Sequence, residues 1–281
     1  MSSFLTPKEI AESMVEIGKK KSEMSFGCML VLGILAGLYI GFGAEVYLMV
    51  SHDLAARLGI GFMRFIRGSV FTAGLMLVVV AGAELFTGNC LMVVGVLARQ
   101  IPLKKLLRSW TVVYLANFIG SIFLAVLIYY SGQWKFGKMG VATEVLTTCV
   151  RKVNLPFVEA FCRGIACNCL VCLAVWMAIA GKDVAGKLLA IYFPIMAFVA
   201  SAFEHSIANM YIIALGLLLK GNAAAVSASG LGTQLETLNW SSFLFVNLLP
   251  VTLGNIVGGS LIIGGAYYLA YLRTSPSRAS V

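Results

Sequence analysis

Two stretches of this chain decide what it can become, because each is long, apolar and interrupted by one carboxylate at its centre. Between Arg67 and Arg99 the only charged residue is Glu84, with 16 uncharged residues before it and 14 after it. Between Lys187 and Lys220 the only charge is Glu204, with 16 before it and 15 after it. A helix needs roughly 20 apolar residues to cross the hydrocarbon core of a bilayer. Each run is too long for one such crossing and too short for two, so each is expected to be a discontinuous helix that enters from both sides and breaks at mid-membrane. Irregular backbone at that depth survives only where protein buries it or where it lines a watered cavity. The breaks therefore predict a pathway.

Four further intervals, residues 24–44, 109–134, 164–181 and 237–272, carry no charge and approach or exceed the same length. With 60% hydrophobic and 12% charged residues and a mean hydropathy of +0.93, the composition excludes a soluble domain. The expected fold class is an all-α polytopic membrane protein with six transmembrane helices, the second and fifth broken. Ahead of them, the first 21 residues hold four Lys and Glu9, Glu12 and Glu16 with no apolar core, so these residues are not expected to be a secretory signal. Thr6-Pro7-Lys8-Glu9 reads instead as a capping box with proline at the first helical position, opening an amphipathic surface helix over residues 1–24.

A net charge of +9 raises the question of a nucleic-acid partner. The basic residues sit at span ends, where they anchor helices, so none is expected. With six crossings, and Arg163 of the fourth span left aside, twelve Lys and Arg fall on the N-terminal side and eight on the other, so both termini are expected in the cytoplasm. The channel domain is then residues 25–272, followed by a short cytoplasmic tail over 273–281.

The local chemistry at each centre suits a break. In "GAELFTGNC", residues 82–90, Gly82, Gly88 and Asn89 permit a loop, and Thr87 or Asn89 is expected to cap a half-helix starting near Cys90. In "FEHSIANM", residues 203–210, Ser206 is the expected cap. Both half-helices would aim unsatisfied N–H groups and positive dipole ends at the bilayer centre. The two halves also repeat. "YLANFIGS" (114–121) matches "TLGNIVGG" (252–259), pairing Asn117 with Asn255 at an offset of 138, while Glu84 and Glu204 differ by 120 and Gly33 and Gly164 by 131. Three spans recur in one order, over about 25–134 and 156–272. Three being odd, the second copy must enter from the opposite face, giving a 3+3 inverted repeat with its binding region at the midplane.

Of seven cysteines, Cys169-x-x-Cys172 resembles half a metal or redox site, but no second pair or nearby histidine completes it, so neither metal nor cofactor is expected. A haem protein would need axial ligands, and the only histidines are His52 and His205. An intramembrane hydrolase built on Glu204 and His205 would lack a nucleophile or an H-E-x-x-H set. No enzyme is expected. A coupled secondary transporter suits inverted repeats and broken helices as well as a channel does.

"GAELFTGN", "NCLVCLAVWMA" (168–178), "FEHSIANM" and "LLPVTLGNIVGG" (248–259) together resemble the motifs of the formate/nitrite transporter family, in family order over about residues 25–272. The resemblance implies an aquaporin-like fold, a homopentamer with a pore in each subunit, and an inner-membrane location in contact with lipid. It makes His205 the pore histidine, Thr87 the polar residue facing it, and Asn168 the hydrogen-bonded asparagine beside it. Leu85 and Phe86 correspond to the cytoplasmic constriction, and Phe71, Leu75 and Phe198 to the periplasmic one. It also implies a small monovalent anion as substrate, formate ahead of nitrite or hydrosulfide.

The physics fits such a role. A bare carboxylate entering low dielectric faces an idealised cost of order 20 kcal/mol, so the protein must neutralise it or surround it with donors. A protonated His205 about 4 Å from an anion would contribute roughly 4 kcal/mol at an effective dielectric of 20. A proton passed from His205 to the anion would instead let a neutral acid cross. Glu204, about 100° from His205 if both are helical, is expected to face away from the pore. With Glu84, Ser206, Asn209, Asn117 and Asn255 it is assigned to holding the breaks. Arg163 is read as an anion site or an interface residue whose stem reaches the headgroups, the interface role first.

Overall fold

The computed structural model describes residues 4–273. Beyond Arg273, the expected tail lies outside the described residues. The chain forms α1 (Pro7–Ser22), α2 (Phe26–Ser51), a short α3 (Leu54–Leu58) and α4 (Ile60–Met76), whose last turns widen to π geometry over Leu77–Gly82. After a break, α5 (Phe86–Asn89) continues through a tight turn into α6 (Val93–Leu97). Next come α7 (Leu103–Ser131), α8 (Gly140–Val153), α9 (Phe157–Ala180) and α10 (Val184–Ala200). A second break precedes α11 (Ser206–Lys220) and a short α12 (Ala223–Ser229). The last long helix, Ser242–Tyr271, contains α13 (Leu249–Ile256) and α14 (Ala266–Tyr271) between π segments.

Five of these helices are long and apolar enough to cross a membrane, or six if a bent pair counts as one span. Their outer faces carry exposed Leu115, Phe123, Leu189, Phe193, Phe245 and Leu261, which only an apolar surrounding tolerates in such number. The protein is a multi-pass membrane protein.

Local rules explain the ends. Thr6 and Glu9 form the capping box on α1, with the Thr6 backbone N–H donating to Glu9 Oε2 at 2.7 Å. Ser25 caps α2 by accepting from Cys28 N–H, and Asp183 caps α10 by accepting from Gly186 N–H. Inside, helices meet at backbone distance. A Cβ on Gly37 would stand 2.2 Å from the Asn117 carbonyl oxygen of α7, and one on Gly258 would stand 2.2 Å from that of Ile165 on α9. Any side chain there would separate these pairs.

The two breaks are built alike. Gly82 (φ +86°) and Ala202 (φ +56°), 120 residues apart, both take the left-handed conformation that turns the chain out of its helix. The next helices then start from extended residues, Leu85 and His205. Asn117 Nδ2 donates to the carbonyls of Gly33 (2.7 Å) and Glu84 (2.9 Å), and its Oδ1 accepts from Phe86 N–H (3.0 Å). Asn255 Nδ2 donates to Gly164 (2.8 Å) and Glu204 (3.0 Å), and its Oδ1 accepts from Ser206 N–H (3.0 Å). One buried amide thus satisfies two backbone groups that each break orphans and ties them to a neighbouring helix, α2 or α9.

Two expectations about the breaks need correction. The first half-helix begins at Phe86 with Leu85 at its N-cap, so neither Thr87 nor Asn89 caps it. His205, not Ser206, caps α11. Its Nδ1 accepts from Ala208 N–H at 3.1 Å, while Ser206 is the first helical residue and its hydroxyl has no partner among the described residues. Of the leading N–H groups, those of Phe86, Ser206 and Ala208 are bonded to Asn117, Asn255 and His205.

Candidate functional site

His205 leaves the second break with its ring fixed at both nitrogens. Nδ1 accepts from Ala208 N–H, which requires a lone pair there, so the neutral ring carries its proton on Nε2. That Nε2–H points at Thr87 Oγ1, 3.0 Å away in the half-helix after the first break. Thr87 is fully buried, and its carbonyl accepts from Asn168 Nδ2 at 3.2 Å. The same Nδ2 donates to the Asn255 carbonyl at 2.6 Å. Asn168 therefore ties the two break structures together without touching the histidine ring itself.

Two cavities lie near this pair. One, of about 520 Å³, is lined by His205, Phe71, Phe198, Arg67 and Lys152 among others. The other, of about 540 Å³, lies under α1 and is lined by Lys21, Leu75, Leu85, Gly88 and Val175 among others. They share no lining residue among the described residues. His205 lines the first, and Gly88, next to Thr87 in the chain, lines the second. Phe71 and Phe198 meet edge to face at 5.6 Å, and Phe198 stacks on the His205 ring at 5.9 Å.

Three sequence-based placements shift. Leu75 lines the cavity under α1, opposite Phe71, because the four-residue step from one to the other climbs about 6 Å along the helix and the closed level falls in that interval. Phe86 turns away from both cavities and packs against Tyr114 (4.9 Å) and Trp110 (6.1 Å) of α7. Glu204 and His205 both border the 520 Å³ cavity. The 100° argument assumed a helix, whereas the helix starts only after His205.

Each cavity ends on a lysine, a glutamate and an asparagine. Lys21 Nζ donates to Glu84 Oε1 (2.6 Å) and Asn89 Oδ1 (3.0 Å), and Asn89 Nδ2 donates to Glu84 Oε2 (2.8 Å). On the other side Lys152 Nζ donates to both oxygens of Glu204 (2.9 Å each), and Asn209 Nδ2 donates to Glu204 Oε2 (2.7 Å). Sequence reasoning missed both lysines. The signal was present: Lys21 and Lys152 differ by 131, the offset of Gly33 and Gly164, so the repeated bonding pattern reaches back into α1 and α8. Arg163 pairs with Glu159 one turn away at 2.7 Å and borders the 520 Å³ cavity. Among the described residues, no group of three or more His, Cys, Asp or Glu side chains is placed to hold a metal.

The sequence profile of the formate/nitrite transporter family matches residues 8–269. The chain belongs to that family. A "Probable formate transporter" of Methanothermobacter thermautotrophicus is 39% identical, covering 97% of this chain and 99% of that protein. "Formate channel FocA" of Escherichia coli K12 is 35% identical over 96% of this chain and 95% of its own length. Among solved structures, a "Pentameric formate channel with formate bound" superposes with a TM-score of 0.77 at 35% identity, covering 87% of this chain and 97% of that one. An "FNT family ion channel" gives 0.79 at 28% identity, covering 95% and 99%. The fold is that of formate/nitrite transporter channels, a family of transport proteins rather than enzymes.

Proposed function

We propose that this chain passes small monovalent anions, formate first, through a pore of its own, with His205 and Thr87 as the donors at the closed centre. The observation that carries the reading is the Nε2–H to Oγ1 contact of 3.0 Å beside two cavities, each lined by a lysine paired with a glutamate. The lysines draw anions in, their glutamates moderate that pull, and the aromatic and leucine side chains strip water. At the centre a dehydrated anion meets one N–H and one O–H, and charge-assisted hydrogen bonds of this kind offset part of its desolvation. Leu75, Leu85 and Val175 narrow the mouth under α1, and Phe71 and Phe198 the opposite one. Asn168, Asn117, Asn255, Asn209, Glu84 and Glu204 hold the donors in place.

The relatives support formate as substrate and five subunits as the assembly, since a pentameric channel with formate bound is among the superposing structures. The recurrence of the Asn117 and Asn255 bonding patterns supports six crossings in two inverted halves. The basic bias supports an inner-membrane protein with both termini cytoplasmic, α1 lying against the lipid headgroups. The test is flux of formate, nitrite and hydrosulfide into liposomes across a pH series. His205→Ala is expected to change selectivity and pH dependence while the assembly stays intact. An unaltered profile in that variant would remove the ring from the mechanism.

A further inference from the structure

The 520 Å³ cavity holds an ion pair for which the pathway above has no use. Arg67 of α4 is buried at 7% exposure and donates through Nη2 to Glu144 Oε1 of α8, and the Thr148 hydroxyl donates to the same oxygen at 3.0 Å. The guanidinium carbon sits 5.0 Å from the Tyr47 ring centroid. Its Nε is buried with no partner among the described residues, although a guanidinium presents five donors in one plane. The Glu144 side chain keeps 19% exposure, and both residues border the cavity. Arg67 lies one helical turn before Phe71, which with Phe198 stands between it and His205.

This geometry specifies a ligand. A guanidinium fork reads a planar carboxylate, and the carboxylate now on it has the size and charge of the smallest organic acid anions, held on a side chain. A lone buried arginine would hold a passing anion too firmly, whereas conduction needs sites that fill and empty. A tethered counterion solves that problem.

Resting on the function proposed above, we infer that Arg67 is an anion-loading site one turn outside the Phe71–Phe198 constriction and that Glu144 is its tethered competitor. A small monovalent carboxylate entering the cavity takes Arg67 from Glu144, with the unpartnered Nε as an additional donor. Glu144 reclaims the guanidinium as the anion moves inward. Lys152 is not equivalent, because Glu204 engages it through both oxygens and Asn209 holds that glutamate in turn.

The test is the formate concentration giving half-maximal flux into liposomes bearing the full-length protein. Glu144→Gln, which removes the competitor's charge, is expected to lower it about three- to tenfold, and Arg67→Gln to raise it similarly, the range of one partly solvated charge-assisted contact. In the Arg67→Gln background, Glu144→Gln should have no further effect, because no fork remains to be released. Thr148→Val removes only the hydroxyl that pins Glu144 and should give a smaller fall; it stands in if Glu144→Gln does not assemble. An unchanged half-maximal concentration in these variants, or an equal Glu144→Gln shift with and without Arg67, overturns the inference. If the wild-type protein passes none of formate, nitrite and hydrosulfide, the function proposed above fails as well. Conduction by the wild type without these shifts sinks the Arg67 site alone.

Discussion

His205 serves two purposes through two atoms. Nδ1 closes the end of α11, and that bond leaves Nε2–H as the side that faces Thr87. The ring is oriented by the backbone it caps, so its direction does not depend on a ligand. Thr87→Val, which keeps the shape and removes the hydroxyl, is expected to slow formate flux about tenfold, the effect of one lost hydrogen bond to a charged group, while Thr87→Ser retains it. Initial rates in liposomes with matched protein content check this. The left-handed residues at the breaks make an unequal pair. Gly82→Ala should lower stability by about 1–2 kcal/mol, because a Cβ disfavours φ near +86°. Ala202→Gly relieves the same penalty and should cost nothing, as thermal unfolding of the purified assembly would show.

At the level of elements, each break is a helix end turned inward, and the orphaned backbone groups are met by an asparagine from a neighbouring helix. The charged triads stand beside these ends. Glu204 and Lys152 are 5% and 10% exposed at their side chains, so removing one partner leaves an uncompensated buried charge. Lys152→Met is expected to destabilise by roughly 3–5 kcal/mol, and adding Glu204→Gln should restore most of the loss. Lys21 is 23% exposed, so Lys21→Met should cost less. Chemical unfolding of the three variants ranks them. If the double variant is no better than Lys152→Met, the attribution to buried charge is wrong.

Across the whole molecule the two halves carry the same parts: a helix ending in lysine, an uninterrupted helix, a broken one, and a helix bearing the asparagine plug. This makes α1 part of the packed helical body. It supplies Lys21 and buries Ile10, Ala11, Met14 and Val15. Deleting residues 1–22 is therefore expected to lower the melting temperature by more than Lys21→Met does, since apolar burial is lost along with the ion pair. Equal shifts would show that α1 contributes only its lysine.

Much of this was legible in the residues. A lone glutamate in a long apolar run marks a break because a bilayer tolerates neither the charge nor an interrupted helix unless the two explain each other, and both interruptions fall beside Glu84 and Glu204. The matched motifs also paired Asn117 with Asn255, the two residues that bond the backbone of the breaks. What the sequence could not show was which atom meets which: that a histidine and not a serine ends α11, that Leu75 faces the mouth opposite Phe71, that Phe86 turns into α7, and that Arg67 finds Glu144. Hydropathy and period depend on chain-local properties and survive in the order of residues. Side-chain direction near a break depends on the few degrees of backbone rotation by which packed helices settle against one another, and only the folded molecule contains that.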